Sequence, residues 1–221
     1  MESALEKLGV YEFFTVFLAG IISETLLCIV LRFCFGISIA VNENIWAFLI
    51  VGYFGGLLLH ELSVYLKEPF RKMWFSTSFT VDDRFFKGED LAMAQRVKSF
   101  ILKKDEADTT SDDYVASVCC NELQVKGQFS NAGGLQKESE FALSLSIAFV
   151  AIAGITGAAM IYCNQNQIKF EECRSWLAVA LTLLLSVLFF FRSKRMHKYY
   201  TRCLIRTFAV VHDLTSNDAK K

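Results

Sequence analysis

The chain has 221 residues, 53% of them hydrophobic, with 21 phenylalanines, one proline, and basic and acidic side chains balanced at 23 each. The apolar residues are gathered into four blocks, at about 11–35, 45–66, 141–163 and 176–191, instead of being spread as in a soluble core. A helix of about 20 residues crosses the hydrocarbon layer, so each block is long enough or nearly so, and a soluble fold with four such helices to cover is excluded.

The first block contains GIISETLLCIVLRF, residues 20–33, which carries Glu24 and Arg32. Its leader MESALEKLG is acidic and the apolar run is too long for a cleaved signal peptide, so a retained membrane helix is expected. Glu24 falls near mid-membrane, where an ionisable group facing lipid costs at least about 2.5–3.5 kcal/mol. It should therefore face protein or water, either lining a pore or buried, where it is protonated or hydrogen-bonded to hydroxyls such as Ser23 or Thr25. Arg32 lies about two turns further along, too far for an intimate pair within one helix, and is read as snorkelling or as facing a pore.

In the second block Gly52 and Gly56 form a small-x-x-x-small pair that lets helix backbones approach closely. At its inner end, LLLHELS holds His60 and Glu61. The zinc-protease pattern H-E-x-x-H would need a second histidine where Val64 stands, so His60 and Glu61 are read as interfacial or as lining the inner mouth of a pore. Residues 1–66 thus form a first transmembrane hairpin.

The insertion 67–140 contains two amphipathic stretches. GEDLAMAQRVKSFILKK begins acidic, places Leu91, Ala94, Val97 and Ile101 on one stripe, and ends basic at Lys103 and Lys104. DDYVASVCCNELQVKG is a second helix closed by Gly127, and QFSNAGG reads as a loop. A second hairpin, 141–192, follows. Its first helix carries small residues at Ser144, Ala148, Ala151, Gly154 and Ala158, and its second, WLAVALTLLLSVLFFF, carries no charge. The tail 193–221 continues that helix and repeats a basic residue every fourth position at Lys194, Lys198, Arg202 and Arg206. Such a row neutralises anionic headgroups, or, with Lys103 and Lys104, binds an anionic ligand such as a nucleotide.

Lysine and arginine number 11 in residues 67–140 and 8 from residue 192 onward, against none in 36–44 and two, Lys169 and Arg174, in 164–175. The positive-inside rule places the rich segments and both termini in the cytoplasm. Cys163 and Cys173 then flank an external loop and form a candidate disulfide. No Cys/His cluster suggests a metal, no phosphate-binding or nucleophile-elbow motif is present, and neither an enzyme nor a cofactor is expected.

The segments LGVYEFFTVFLAG, GYFGGLLLHELS and GLQKESEFALSLS, with the four-span layout, resemble the membrane effectors of bacterial anti-phage defence. The size and layout are similar to the ion-channel effector of the Hailong system. The resemblance implies a homo-oligomeric channel of the inner membrane, taken as a tetramer. Its control would come from a nucleotide or DNA oligomer made by a partner nucleotidyltransferase. It transfers no individual functional residue. The expected fold is all-α: four transmembrane helices, embedded in the lipid bilayer, with a small helical cytoplasmic layer. A different reading of the same residues is a non-conducting anchor or assembly subunit that binds a cytoplasmic protein.

Overall fold

The structure, a computed structural model, describes residues 2–37, 44–73, 88–105, 112–168 and 170–214. They form six helices and no strand: α1 (Glu2–Phe35), α2 (Ile45–Met73), α3 (Glu89–Asp105), α4 (Asp112–Val125), α5 (Ser130–Gln165) and α6 (Glu172–Val211). Among the described residues four helical stretches are long and apolar enough to cross a membrane: Thr15–Phe35, Ile45–Leu66, Asn131–Gln165 and Glu172–Val211. The protein is an all-α, multi-pass membrane protein. Contacts divide it into two compact units, Met1–Lys67 with Lys137–Ser193 and Glu68–Gln136 with Lys194–Lys221.

In the first unit α1 and α2 cross at their glycines. A Cβ placed on Gly20 would lie 1.7 Å from the Gly52 carbonyl oxygen, and one on Gly56 would lie 2.1 Å from that of Val16. These distances leave no room for any side chain, so the Gly52/Gly56 pair closes a contact within one subunit. Its partner, Gly20, is a lone glycine in the apolar run 11–35 of α1.

The α5–α6 pair is joined differently. Ser139 and Ser193 each donate to the other's backbone carbonyl, at 3.0 and 2.8 Å. Ser146 donates to the Ser186 carbonyl at 2.9 Å. Seven residues forward on α5 correspond to seven back on α6, which makes the helices antiparallel with rungs about two turns apart. Serines are small enough for close packing and bring their own acceptors, so these hydroxyls are satisfied within the apolar layer. Next along α5 from the Ser146 rung, Phe149 meets Phe189 edge to face, with centroids 5.4 Å apart. The surrounding core combines Ala19, Val30 and Cys34 of α1 with Leu145, Phe149 and Ile152 of α5 and Ala178 of α6. The central helix is α5, with 56% of its span window buried against 11% for α2, whose outer face is left to lipid or another copy.

The second unit has a core of the kind found in soluble helical proteins. Ala94, Val97 and Ile101 of α3 meet Val115, Cys119 and Leu123 of α4, Ala132, and Leu204, Ile205, Phe208 and Ala209 of α6. These positions recur at helical i, i+3/i+4 spacing and bury one apolar stripe per helix. Gly127, at φ 68°, ends α4 with the Gln128 amide bonded to the Leu123 carbonyl at 2.9 Å, a Schellman closure.

One expectation needs correction. Of residues 128–134 only 128 and 129 lie outside a helix, because α5 begins at Ser130. The Gly133 amide donates to the Phe129 carbonyl at 2.8 Å, and the Phe129 ring covers Gly133 closely enough that a Cβ there would meet it at 3.0 Å. The small residues of α5 divide between two environments: Ser144 and Ala148 are buried, whereas Ala151, Gly154 and Ala158 are exposed.

Gly20→Ala should destabilise the protein by about 3 kcal/mol, the upper range for forcing a methyl into a packed contact. Gly55, where an added Cβ meets nothing within 4 Å, is the matched control, and Gly55→Ala should be neutral or stabilising by up to about 1 kcal/mol. Thermal unfolding of the two variants in detergent checks the difference.

Candidate functional sites

Glu24 lies beside the α1–α2 crossing. Its Oε2 is 3.0 Å from the position a Gly52 side chain would take, so the missing side chain makes room for the carboxylate. That oxygen is buried and has no hydrogen-bond partner among the described residues, while the residue as a whole is partly exposed. Ser23 does not serve it, since its hydroxyl donates to the Ala19 carbonyl at 2.5 Å, and Thr25 is exposed. Arg32 is exposed in the last turn of α1, about 12 Å further along the axis, and is not brought to Glu24.

His60 and Glu61 part company. Glu61 is exposed, whereas His60 lines a cleft of about 330 Å³ between α1, α2 and α5. The cleft is walled by Val16, Ala19, Gly56, Leu57 and Phe141 and carries the polar groups of Thr15, Tyr53, Lys137, Glu140 and Ser144. Its existence follows from the crossing: Gly56 and Ala19 offer almost no side chain to fill the space. Ser144 Oγ lies 3.0 Å from the Glu140 carbonyl and 3.2 Å from Ser63 Oγ, which ties α5 to α2 beside the cleft. Sequence reasoning missed Lys137 and Glu140, whose only signal is a charged QKESE stretch at the foot of an apolar run.

In the second unit the basic row of α6 is partly spoken for. Arg206 donates from Nε and Nη2 to Asp90 Oδ1, at 2.9 and 2.8 Å. Arg202 Nε is 3.8 Å from Asp90 Oδ2, close enough for charge attraction but too far for a hydrogen bond, and that nitrogen is buried without an acceptor. Two guanidinium groups therefore share one carboxylate and leave a net positive charge. Lys194 and Lys198 lie further back on α6 and have contacts of their own. Lys103 is exposed on α3, and the Lys104 side chain lies outside the described residues. Asp90 reads in the sequence as a helix-dipole acid, and only the fold reveals it as the arginines' partner.

Near the end of α6, His212 sits between the rings of Phe208 and Phe100, at 4.5 and 5.0 Å, with Nε2 2.9 Å from Glu122 Oε2. Burial pushes the Cys119 thiol up to about 12, so it is protonated at neutral pH and packs as an apolar group. The expected disulfide is not formed. All seven cysteines are free thiols, with Cys163 buried in α5 and Cys173 exposed at the start of α6, so their side chains occupy different environments. Among the described residues no three His, Cys, Asp or Glu side chains gather as metal ligands.

No protein-family model, curated protein or solved structure matches this chain.

Removing the shared carboxylate should expose both arginines. Asp90→Asn is expected to lower the stability of the second unit by about 1 kcal/mol, the scale of a partly exposed ion pair. It should also raise the salt concentration that elutes the protein from immobilised heparin. Arg206→Gln should lower that concentration, and the two elution profiles together check the charge balance.

Proposed function

We propose that the protein is one subunit of a homo-oligomeric ion channel, an effector of the anti-phage kind its sequence resembles. In this reading it lies in a bacterial inner membrane with both termini and the second unit in the cytoplasm. Glu24 carries the reading. An ionised acid within a membrane span, with one buried oxygen that receives no hydrogen bond from the described residues, needs water, a cation or a second copy to stabilise it. An aqueous path between copies supplies all three. A single four-helix subunit whose central helix is already packed encloses no path of its own, so conduction requires several copies around an axis, taken as a tetramer. Repeated around that axis, Glu24 makes an acidic ring that favours cations.

Gating is assigned to an anionic cytoplasmic ligand, a nucleotide or oligonucleotide, at the Arg202/Arg206 end of the basic row. The support for this is the charge surplus over Asp90 and the unsatisfied Arg202 Nε. The anchor reading draws on a different observation, the exposure of Val125, Tyr114 and Val210 on the second unit, which suits a protein partner. Expression separates the two: an ungated channel depolarises cells, and an anchor is tolerated.

Purified protein in planar bilayers should show discrete, cation-selective conductance. Glu24→Gln should reduce the cation-to-anion permeability ratio severalfold without abolishing assembly, as read from reversal potentials in asymmetric salt. Absence of conductance with and without oligonucleotide rules out the channel, and unchanged selectivity rules out the acidic ring.

A further inference from the structure

We infer that His212, at the end of α6, is a proton-operated selector between two side chains at the end of α4: protonated, its ring is held by Glu122, and neutral, it is held by Lys126. The inference concerns the second unit alone and is independent of ion conduction.

One ring nitrogen faces both partners. Nε2 lies 2.9 Å from Glu122 Oε2 and 3.4 Å from Lys126 Nζ. Glu122 and Lys126 are one helical turn apart, the Lys126 amide donating to the Glu122 carbonyl at 3.0 Å. A carboxylate only accepts and an ammonium only donates, so Nε2 serves Glu122 while it carries a proton and Lys126 once it has lost it. The imidazolium has a proton on each nitrogen and gives Glu122 a charge-assisted hydrogen bond. The neutral ring has one proton and therefore a choice. With that proton on Nε2, the Lys126 ammonium is left against an N–H. With it on Nδ1, the Nε2 lone pair accepts from Lys126, whose remaining donors serve Glu122 as its (i, i+4) partner. The second arrangement satisfies both charged side chains and is the one assigned to the neutral ring.

The surroundings hold the ring where this choice must be made. It lies between Phe208 and Phe100, and its side chain is 15% exposed. The backbone beside it is closed by the Leu214 amide, which donates to the Ala209 carbonyl at 2.8 Å, and by Arg96 of α3, whose Nη1 donates to the Leu214 carbonyl at 3.3 Å. The other charged or titratable groups on the packed elements are Arg96 and Lys103 on the Phe100 side of α3, the buried Cys119 thiol of α4, and Asp213 next to His212 in the chain. Among the described residues Glu122 and Lys126 are the polar side chains that bond the ring. Of these side-chain types imidazole is the one that ordinarily changes charge between about pH 5 and 8, so the ring is the part that responds in that range.

Nitrogen NMR of the full-length protein in detergent, isotope-labelled in the rings of its three histidines, tests this directly. Ring nitrogen shifts separate an N–H from a lone pair, and the His212 signals are those lost in His212→Gln. At about pH 5 both His212 nitrogens should carry protons, and at about pH 8 the remaining proton should sit mainly on Nδ1, the tautomer that free histidine disfavours. Lys126→Met should return it to Nε2, a change of about tenfold in the tautomer ratio, the scale of one hydrogen bond. Glu122→Ala should make the Nε2 proton at low pH exchange with water severalfold faster. An Nε2–H tautomer at the higher pH in the unmodified protein overturns the proposal without reference to any variant. An Nδ1–H tautomer that persists in Lys126→Met removes Lys126 from it, and unchanged exchange in Glu122→Ala removes Glu122; either result also overturns the selector.

Discussion

The contact between the α1 and α2 backbones at Gly20, Gly52 and Gly56 is the constraint from which the rest of the membrane-spanning unit follows. In lipid there is no hydrophobic effect to press helices together, so close approach and interhelical hydrogen bonds must supply the association. With a Cβ on Gly20 sited 1.7 Å from the Gly52 oxygen, the two helices meet main chain to main chain at that point. Contact this close has two consequences on either side of the crossing. Toward one end, the absent Gly52 side chain leaves room for the Glu24 carboxylate in a span that would otherwise reject it. Toward the other, the small Gly56 and Ala19 leave a cleft into which Lys137, Glu140 and His60 project.

The two units show two kinds of cohesion. The membrane unit is joined by glycine contact and by serine rungs, 139 with 193 and 146 with 186, in which each polar group finds its acceptor on the neighbouring helix. The second unit buries Val97, Ile101, Leu123, Leu204 and Phe208 as a water-facing protein does. Its unpaired feature is electrostatic: two arginines on one aspartate. Among the described residues, uncompensated buried polar atoms thus remain at two places, Glu24 within a span and Arg202 in the second unit. The proposed channel assigns a role to each, one in permeation and one in ligand control.

Much of this was legible in the sequence. The blocks of hydropathy lead to four spanning helices, and the stripe Leu91, Ala94, Val97, Ile101 leads to the packed face of α3. The Gly52/Gly56 pair pointed to close packing, but its partner Gly20 was not visible because a lone glycine in an apolar run has no pattern. On α5, spacing every three or four residues grouped Ala151, Gly154 and Ala158 with the buried Ser144 and Ala148. Both sides of a membrane helix are apolar, so hydropathy cannot separate the face that packs from the face that meets lipid. The Asp90 link to Arg202 and Arg206 spans over a hundred residues, and the cleft draws on three helices. Neither has a local signature.

The central claim is that Glu24 faces water between copies of the subunit. An electron cryo-microscopy reconstruction of the protein in lipid nanodiscs tests it most directly. The account predicts a symmetric oligomer with α1 nearest the axis, the Gly20–Gly52 contact intact within each subunit, and the Glu24 carboxylates ringing a hydrated path. A monomer, or an oligomer in which Glu24 is sealed inside each subunit away from the axis, would contradict it.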